Sequence, residues 1–229
     1  MDAPPDLRSQ AFQRLTRWLT PSRSTAMRQY RWRARIYDLE LALFEPMRQR
    51  AIDRLRLKNG DRVLDVGCGT GLSFPVLEGR VGPEGSIIGI EQSPEMLERA
   101  GARVAENSWK NVVLILASAE EAAIPLAADA ALFHFTHDIM RTPKALANVC
   151  SHLKPGARIV AAGLKWAPIR AMPLNLLVWN AALQSTSTLE GLARPWSHLE
   201  PLVSEFELEQ MLGGTVYIAS GVIKQGGIF

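Results

Sequence analysis

The chain reads as an α/β protein, a parallel sheet wound on both faces by helices and carrying an antiparallel hairpin at one edge. Three observations predict this. Short apolar runs of strand length alternate with stretches of helical period from residue 61 to about 166. The first run closes on an acid and a glycine triplet, VLDVGCGTG (63–71), as a strand does where it turns into a helix at the carboxyl edge of a parallel sheet. The last two runs are joined through Gly213-Gly214, a connection suited to an antiparallel return.

Taken in order, DLRSQAFQRLTRWL (6–19) sets Leu7, Ala11, Leu15, Trp18 and Leu19 on one helical face, and Pro21 ends it. A second helical pattern runs from about 29 to 57, with a bend predicted at Pro46. DRVLDV (61–66) is a strand, followed by a helix to about Glu78. GSIIGIE (85–91) is the second strand, and Ser93-Pro94 opens a helix to about Ala105. NVVLIL (111–116) and DAALFHF (129–135) are the third and fourth strands, with a helix over 142–152. LKPGARIVAAGLKW (153–166) is a turn and fifth strand. A helix-rich insertion over about 168–191 and a short helix over 197–204 precede the final strands, about 205–211 and 215–223. Strands buried on both faces account for the near-continuous apolar runs.

The 229 residues suffice for one domain with appendages, divided into a helical arm and lid over 1–58 and a core over 59–229. Two cysteines, Cys68 and Cys150, fit no disulfide framework and no metal spacing, so both are expected reduced, in a cytoplasmic protein. The opening residues lack an apolar signal core, and the longest apolar stretch (171–183) is short and broken by Asn175 and Asn180. Neither secretion nor membrane insertion is expected. The net charge of +3 conceals an arm: residues 1–37 hold eight arginines against Asp2 and Asp6. Such a basic helix suits peripheral contact with an anionic membrane, or a plainly solvated role. Nucleic acid is not the expected partner, since no RNA-binding module accompanies the arginines.

The glycine loop states a requirement. Gly67, Gly69 and Gly71 let the chain turn sharply and bring bare backbone against a ligand. Glu91, twenty residues after Gly71 at the end of the second strand, is placed to accept from two ribose hydroxyls. The third position of the dinucleotide pattern is Leu72, and no P-loop lysine follows. The ligand expected is a compact nucleoside without pyrophosphate.

VLDVGCGTG, Glu91 and the LKPG turn together resemble the class I S-adenosylmethionine-dependent methyltransferases over about residues 30–223. The resemblance implies a Rossmann-like seven-stranded sheet ordered 3-2-1-4-5-7-6, the last strand antiparallel. It also implies S-adenosyl-L-methionine as cofactor. Asp65 with Gly67, Cys68, Gly69 and Gly71 would hold the methionine part, Glu91 the ribose, and Gln92 would lie against adenine. Where the family offers an acid to the adenine amino group, this chain has Ser118, Ala119 and then Glu120. YRWRARIYD (30–38) resembles the lid segment of ubiquinone/menaquinone and phosphatidylethanolamine N-methyltransferase-like proteins, with Arg35 in place of the usual proline. By that likeness Tyr30 borders the substrate and Tyr37 closes over the donor.

Acid–base candidates stand at the end of the fourth strand, FHFTHD (133–138). Strand alternation places Phe133 and Phe135 on one face and His134, as a core histidine, on the other. His137 and Asp138, just past the strand, are candidate general bases or caps of the next turn. Trp166, Trp179 and Trp196 with Met172 and Leu176 form an apolar wall for a hydrophobic or lipid-like acceptor, or else core or homodimer surface. A noncatalytic scaffold that kept the pocket is the alternative from another class, and the intact glycines and Glu91 argue against it.

Overall fold

The computed structural model describes residues 44–168, 175, 178–179 and 189–224. The basic arm, the lid with Tyr30 and Tyr37, and most of the insertion lie outside them. The described elements, in chain order, are α1 (Glu45–Arg54), β1 (Arg62–Val66), α2 (Phe74–Val81), β2 (Ser86–Glu91), α3 (Pro94–Glu106) and β3 (Val112–Leu116). There follow β4 (Ala128–His134), α4 (His137–Met140), α5 (Pro143–Ser151), β5 (Leu153–Leu164), β6 (Val203–Met211) and β7 (Val216–Ile223).

The seven strands form one sheet in the order β3-β2-β1-β4-β5-β7-β6, as expected. β1 pairs in parallel with β2 and β4, β2 with β3, and β4 with β5. β7 runs antiparallel to both β5 and β6. Alternation along the central strands splits the core in two. Val63, Ala130, Leu132, Val160 and Ile218 pack under α1, α2 and α3 with Met47, Ile52, Phe74 and Leu77. Leu64, Val66, Phe133, Ile159 and Tyr217 face Leu146 and Val149 of α5 and the run Trp196–Leu202.

Prolines mark where helices begin. Pro46 stands in the first turn of α1, which starts at Glu45, where a proline forfeits no helical bond; the part of the expected helix before residue 44 lies outside the described residues. Ser93 caps α3, its Oγ accepting from Met96 N at 3.3 Å, with Pro94 following. Other expectations are corrected. The predicted turn LKPG belongs to β5 and forms an irregularity in its pairing with β4, between Ala128 and Ala130, with Gly156 at φ +79°. The helix expected at 197–204 is a series of turns ending in a 3₁₀ turn, Glu200–Leu202. Trp196, just before it, is buried and packs against Tyr217 with ring centroids 5.2 Å apart and planes tilted by 52°, so it is core and not pocket wall. Finally, Phe135 leaves the strand at φ +58° and meets Phe44 edge-on at 5.0 Å. It therefore joins the α1 layer, while Phe133 lies in the other.

An ionic clamp secures the far edge. Arg50 and Arg54 of α1 meet Glu209 of β6 at 2.6 and 2.8 Å, and Arg54 also pairs with Glu207. These charges keep the outer strand from offering a sticky edge.

Candidate functional site

The loop after β1 folds back on β2. Gly67 N and Cys68 N both donate to Ile90 O, at 2.8 and 3.0 Å. Gly67, Gly69 and Gly71 have φ of +72°, +57° and +77°, conformations that a side chain disfavours. Their bare faces differ. A Cβ on Gly67 would lie 2.5 Å from Thr136 Cγ2, and one on Gly71 would strike the Phe74 ring. A Cβ on Gly69 meets nothing within 4 Å. Of the three, Gly69 alone has an open face.

Glu91 crosses the crevice to that point. Its Oε2 accepts from Gly69 N at 3.1 Å and its Oε1 from Ser93 N at 2.8 Å. Burial raises its pKa, and the amides of Ser93, Gly69 and Gln92 oppose the rise. Behind the loop, Cys68 packs its sulfur toward Gly89, where a Cβ would come within 3.0 Å of it. Burial pushes the Cys68 thiol well up, which suits a packing role. Arg103 of α3 donates to Thr70 O at 3.0 Å and steadies the far side of the loop.

Asp65, the next-to-last residue of β1, is buried at 1% exposure. Burial raises its carboxyl to about 7; Arg48 opposes that, Glu91 adds to it and a hydrogen bond with Ser73 opposes it. Arg48 itself is 2% exposed, projects from the amino end of α1 and pairs with Glu45. His134, at the end of β4, is held down to about 3 by burial and by Arg48. Sequence reasoning missed Arg48, although it shares the helical spacing of Ala51, Ile52 and Leu55, all buried on α1.

Among the described residues, five buried side-chain polar atoms lack a partner: Arg48 Nε, Asp65 Oδ2, His134 Nε2, Thr136 Oγ1 and His137 Nδ1. Four follow from the ends of β1 and β4, and Arg48 is electrostatically coupled to two of those residues. His134 is thus no satisfied core histidine. Buried polar atoms are normally paired, so exceptions gathered at one rim mark a place that a polar ligand completes. The orphaned Asp65 oxygen and the open Gly69 fit an aminoacyl nucleoside with an ammonium group at one end and ribose hydroxyls at the other.

The other predicted residues are distributed around this centre. Gln92 is exposed beside Glu91. Ser118 and Ala119 follow β3, and Asn148 of α5 holds the segment by donating to Ala119 O and Ala122 O at 2.9 and 3.0 Å. Ser118 O accepts from Glu121 N and Ala122 N, and Glu120 is half-buried. His137 is 8% exposed, with Nε2 at 2.9 Å from Glu190 O; Asp138 is half-buried beside it. Trp166 is half-buried just past β5, and Trp179 is exposed. Lys165, between β5 and Trp166, donates to Trp166 O and Gly214 O at 2.7 and 3.0 Å. Among the described residues no His, Cys, Asp and Glu cluster suits a metal ion.

Residues 57–205 match the sequence family described as a methyltransferase domain. The chain belongs to that family. It is a class I methyltransferase domain whose cofactor is S-adenosylmethionine. The domain is 38% identical over 91 residues to aklanonic acid methyltransferase DauC of Streptomyces sp. (strain C5), covering 39% of this chain and 41% of that protein. It is 28% identical over 120 residues to demethylmenaquinone methyltransferase of Symbiobacterium thermophilum, covering 51% and 48%. Its matches thus span less than half the length of these curated relatives. The crystal structure of a SAM dependent methyltransferase from Aquifex aeolicus superposes with a TM-score of 0.58 at 24% identity, over 83% of this chain and 97% of that one. That last likeness is one of fold.

Proposed function

We propose that the chain transfers a methyl group from S-adenosylmethionine to a small, hydrophobic or lipid-like acceptor by in-line displacement. The observation that carries this reading is the open backbone at Gly69, faced by Glu91 Oε2 and neighboured by the unpartnered Asp65 Oδ2. Asp65 would meet the ammonium of the cofactor, the loop amides its carboxylate, and Glu91 its ribose. When bound, the cofactor supplies an electrophilic methyl on a sulfonium, with a neutral leaving group.

The domain's own work is then alignment and exclusion of water. The described rim is poor in free bases. His134 is held neutral with Nε2 sealed from solvent, and His137 Nε2 must carry its proton to face a carbonyl. Trp166 and Trp179 support an apolar acceptor wall, and the name of the aklanonic acid relative is in keeping with a small organic acceptor. The demethylmenaquinone relative and the Tyr30–Asp38 segment favour the ubiquinone/menaquinone-like branch, with the residues ahead of α1 as arm and lid and α1 itself packed in the core.

A phospholipid amine at a membrane surface is the second reading, favoured by the eight arginines of residues 1–37. Among the described residues no helix is long and apolar enough to cross a membrane. Calorimetry with S-adenosylmethionine and S-adenosylhomocysteine tests the cofactor reading; absence of heat with both sinks it. Labelled donor presented with phenols, quinols, aromatic carboxylic acids and phosphatidylethanolamine vesicles tests the acceptor class. Label retained only by the vesicles selects the second reading.

A further inference from the structure

The turn after β4 touches two parts of the molecule that methyl transfer must hold in register. On one side, Thr136 and Ile139 fill the space that a side chain on Gly67 would need, at 2.5 and 3.0 Å from the position of its Cβ. They are the backing of the cofactor loop. On the other side the turn grips the segment Glu190–Leu192. His137 donates Nε2–H to Glu190 O at 2.9 Å, the only role open to that nitrogen before a carbonyl. Arg141 lies against Gly191, where an added Cβ would come within 2.5 Å of Arg141 Nε and where φ is already +76°. Its Nη1 donates to Ser197 Oγ at 3.0 Å. The gripped segment is in turn bound to the end of β5, since Trp166 N donates to Leu192 O at 2.9 Å.

A continuous path of contacts therefore runs from Gly67 through Thr136 and His137 to Glu190, Leu192 and Trp166. We propose that His137 is a positioning residue, which by holding the Glu190 carbonyl fixes Trp166 and the segment beside it relative to the cofactor loop. It does not act as the general base. The proposal rests on the reading of this crevice as a methyltransferase site with Trp166 on the acceptor side. Burial lowers the pKa of His137, against the influence of the Glu190 carbonyl and Asp138, so the imidazole is neutral at pH 7. The neutral form with its proton on Nε2 is the one that can hold the carbonyl.

Two substitutions separate positioning from base catalysis. Glutamine can place an amide N–H where Nε2–H stands and cannot take a proton; alanine can do neither. Hydrogen exchange over residues 189–193 and at Trp166 needs neither cofactor nor acceptor. His137→Gln is expected to exchange as the natural chain does, and His137→Ala to exchange about tenfold faster. With labelled donor and whichever panel acceptor the natural chain methylates, His137→Gln should keep kcat within about threefold. Its pH profile should keep the same acid limb. His137→Ala should raise the acceptor KM more than it lowers kcat.

Unchanged exchange in His137→Ala overturns the proposal, as does a His137→Gln variant that loses both kcat and the acid limb. If His137→Ala fails to fold, Arg141→Ala loosens the same segment and is judged by the same exchange measurement. If the natural chain binds no S-adenosylhomocysteine, the cofactor reading fails, while the exchange data still decide whether His137 holds Glu190.

Discussion

Asp65 is an acid held near neutrality, and the sign of its effect on stability follows. Its folded pKa of about 7 lies above the ordinary 3.8, with burial as the first cause. Ionisation therefore costs the cofactor-free fold stability, progressively from about pH 4 to about pH 7 and constantly above. Asp65→Asn is expected to raise the melting temperature of the cofactor-free domain at pH 8 by several degrees and to leave it little changed at pH 4. It should also abolish measurable binding of S-adenosylhomocysteine. A variant that melts lower at pH 8 than at pH 4, relative to the natural chain, contradicts this sign. Because an ammonium favours the carboxylate, binding at pH 6 should release a proton, seen as a calorimetric heat that varies with the ionisation enthalpy of the buffer. Gly69→Ala is a milder lesion. The methyl has room but the φ of +57° does not suit it, so a cost of about 1 kcal/mol is expected in a urea melt. Cofactor affinity should fall by more than that cost, since the methyl occupies the open side. The glycines and Glu91 were legible in sequence because each answers a geometric demand at fixed spacing. Arg48, Thr136 and Arg141 were not, since their roles depend on which strand ends the sheet brings together.

At the scale of elements, the clamp between α1 and β6 joins residues more than 150 positions apart, with Arg54 bonded to Glu207 and Glu209. Arg50 and Arg54 hold the Glu209 carboxyl below its ordinary range. A depressed folded pKa gives stability that is present above the unfolded value of 4.5 and lost as pH falls through the folded value. Arg54→Ala should therefore destabilise the domain at pH 7 by about 0.5–1 kcal/mol, the range for partly exposed pairs. The difference should shrink below about pH 4 and in high salt, as followed by urea melts in both conditions. Strand order was legible only through family likeness, for alternation names strands without pairing them. The misread elements have local causes. LKPG has turn chemistry within a bulged strand, and Phe135 escapes alternation through a positive φ that no residue type announces.

For the whole molecule, the unpartnered atoms at one rim imply a fold that is incomplete without its ligand. Saturating S-adenosylhomocysteine at a hundred times its dissociation constant should stabilise the domain by about 2.7 kcal/mol. For a chain of this size that is a rise of roughly 5–10 °C in melting temperature. No rise at any concentration would mean that the orphaned atoms at the rim do not serve the cofactor. Flotation with anionic liposomes, with and without residues 1–25, tests the arm; equal recovery of both forms removes the membrane role.

The reversal of β7 has a practical corollary. Val216 pairs with Leu164 at the crevice rim and Val222 with Arg158 at the other, so the chain descends the sheet and reaches Lys224 on the side away from the glycine loop. Lys224 is moored there by its N–H to Leu202 O and its Nζ to Pro201 O. A dye, surface tether or fused reporter placed after that residue would start roughly 25 Å from Gly69, the length of the strand itself. Immobilised binding assays built on that attachment should leave the mouth of the pocket open to solution.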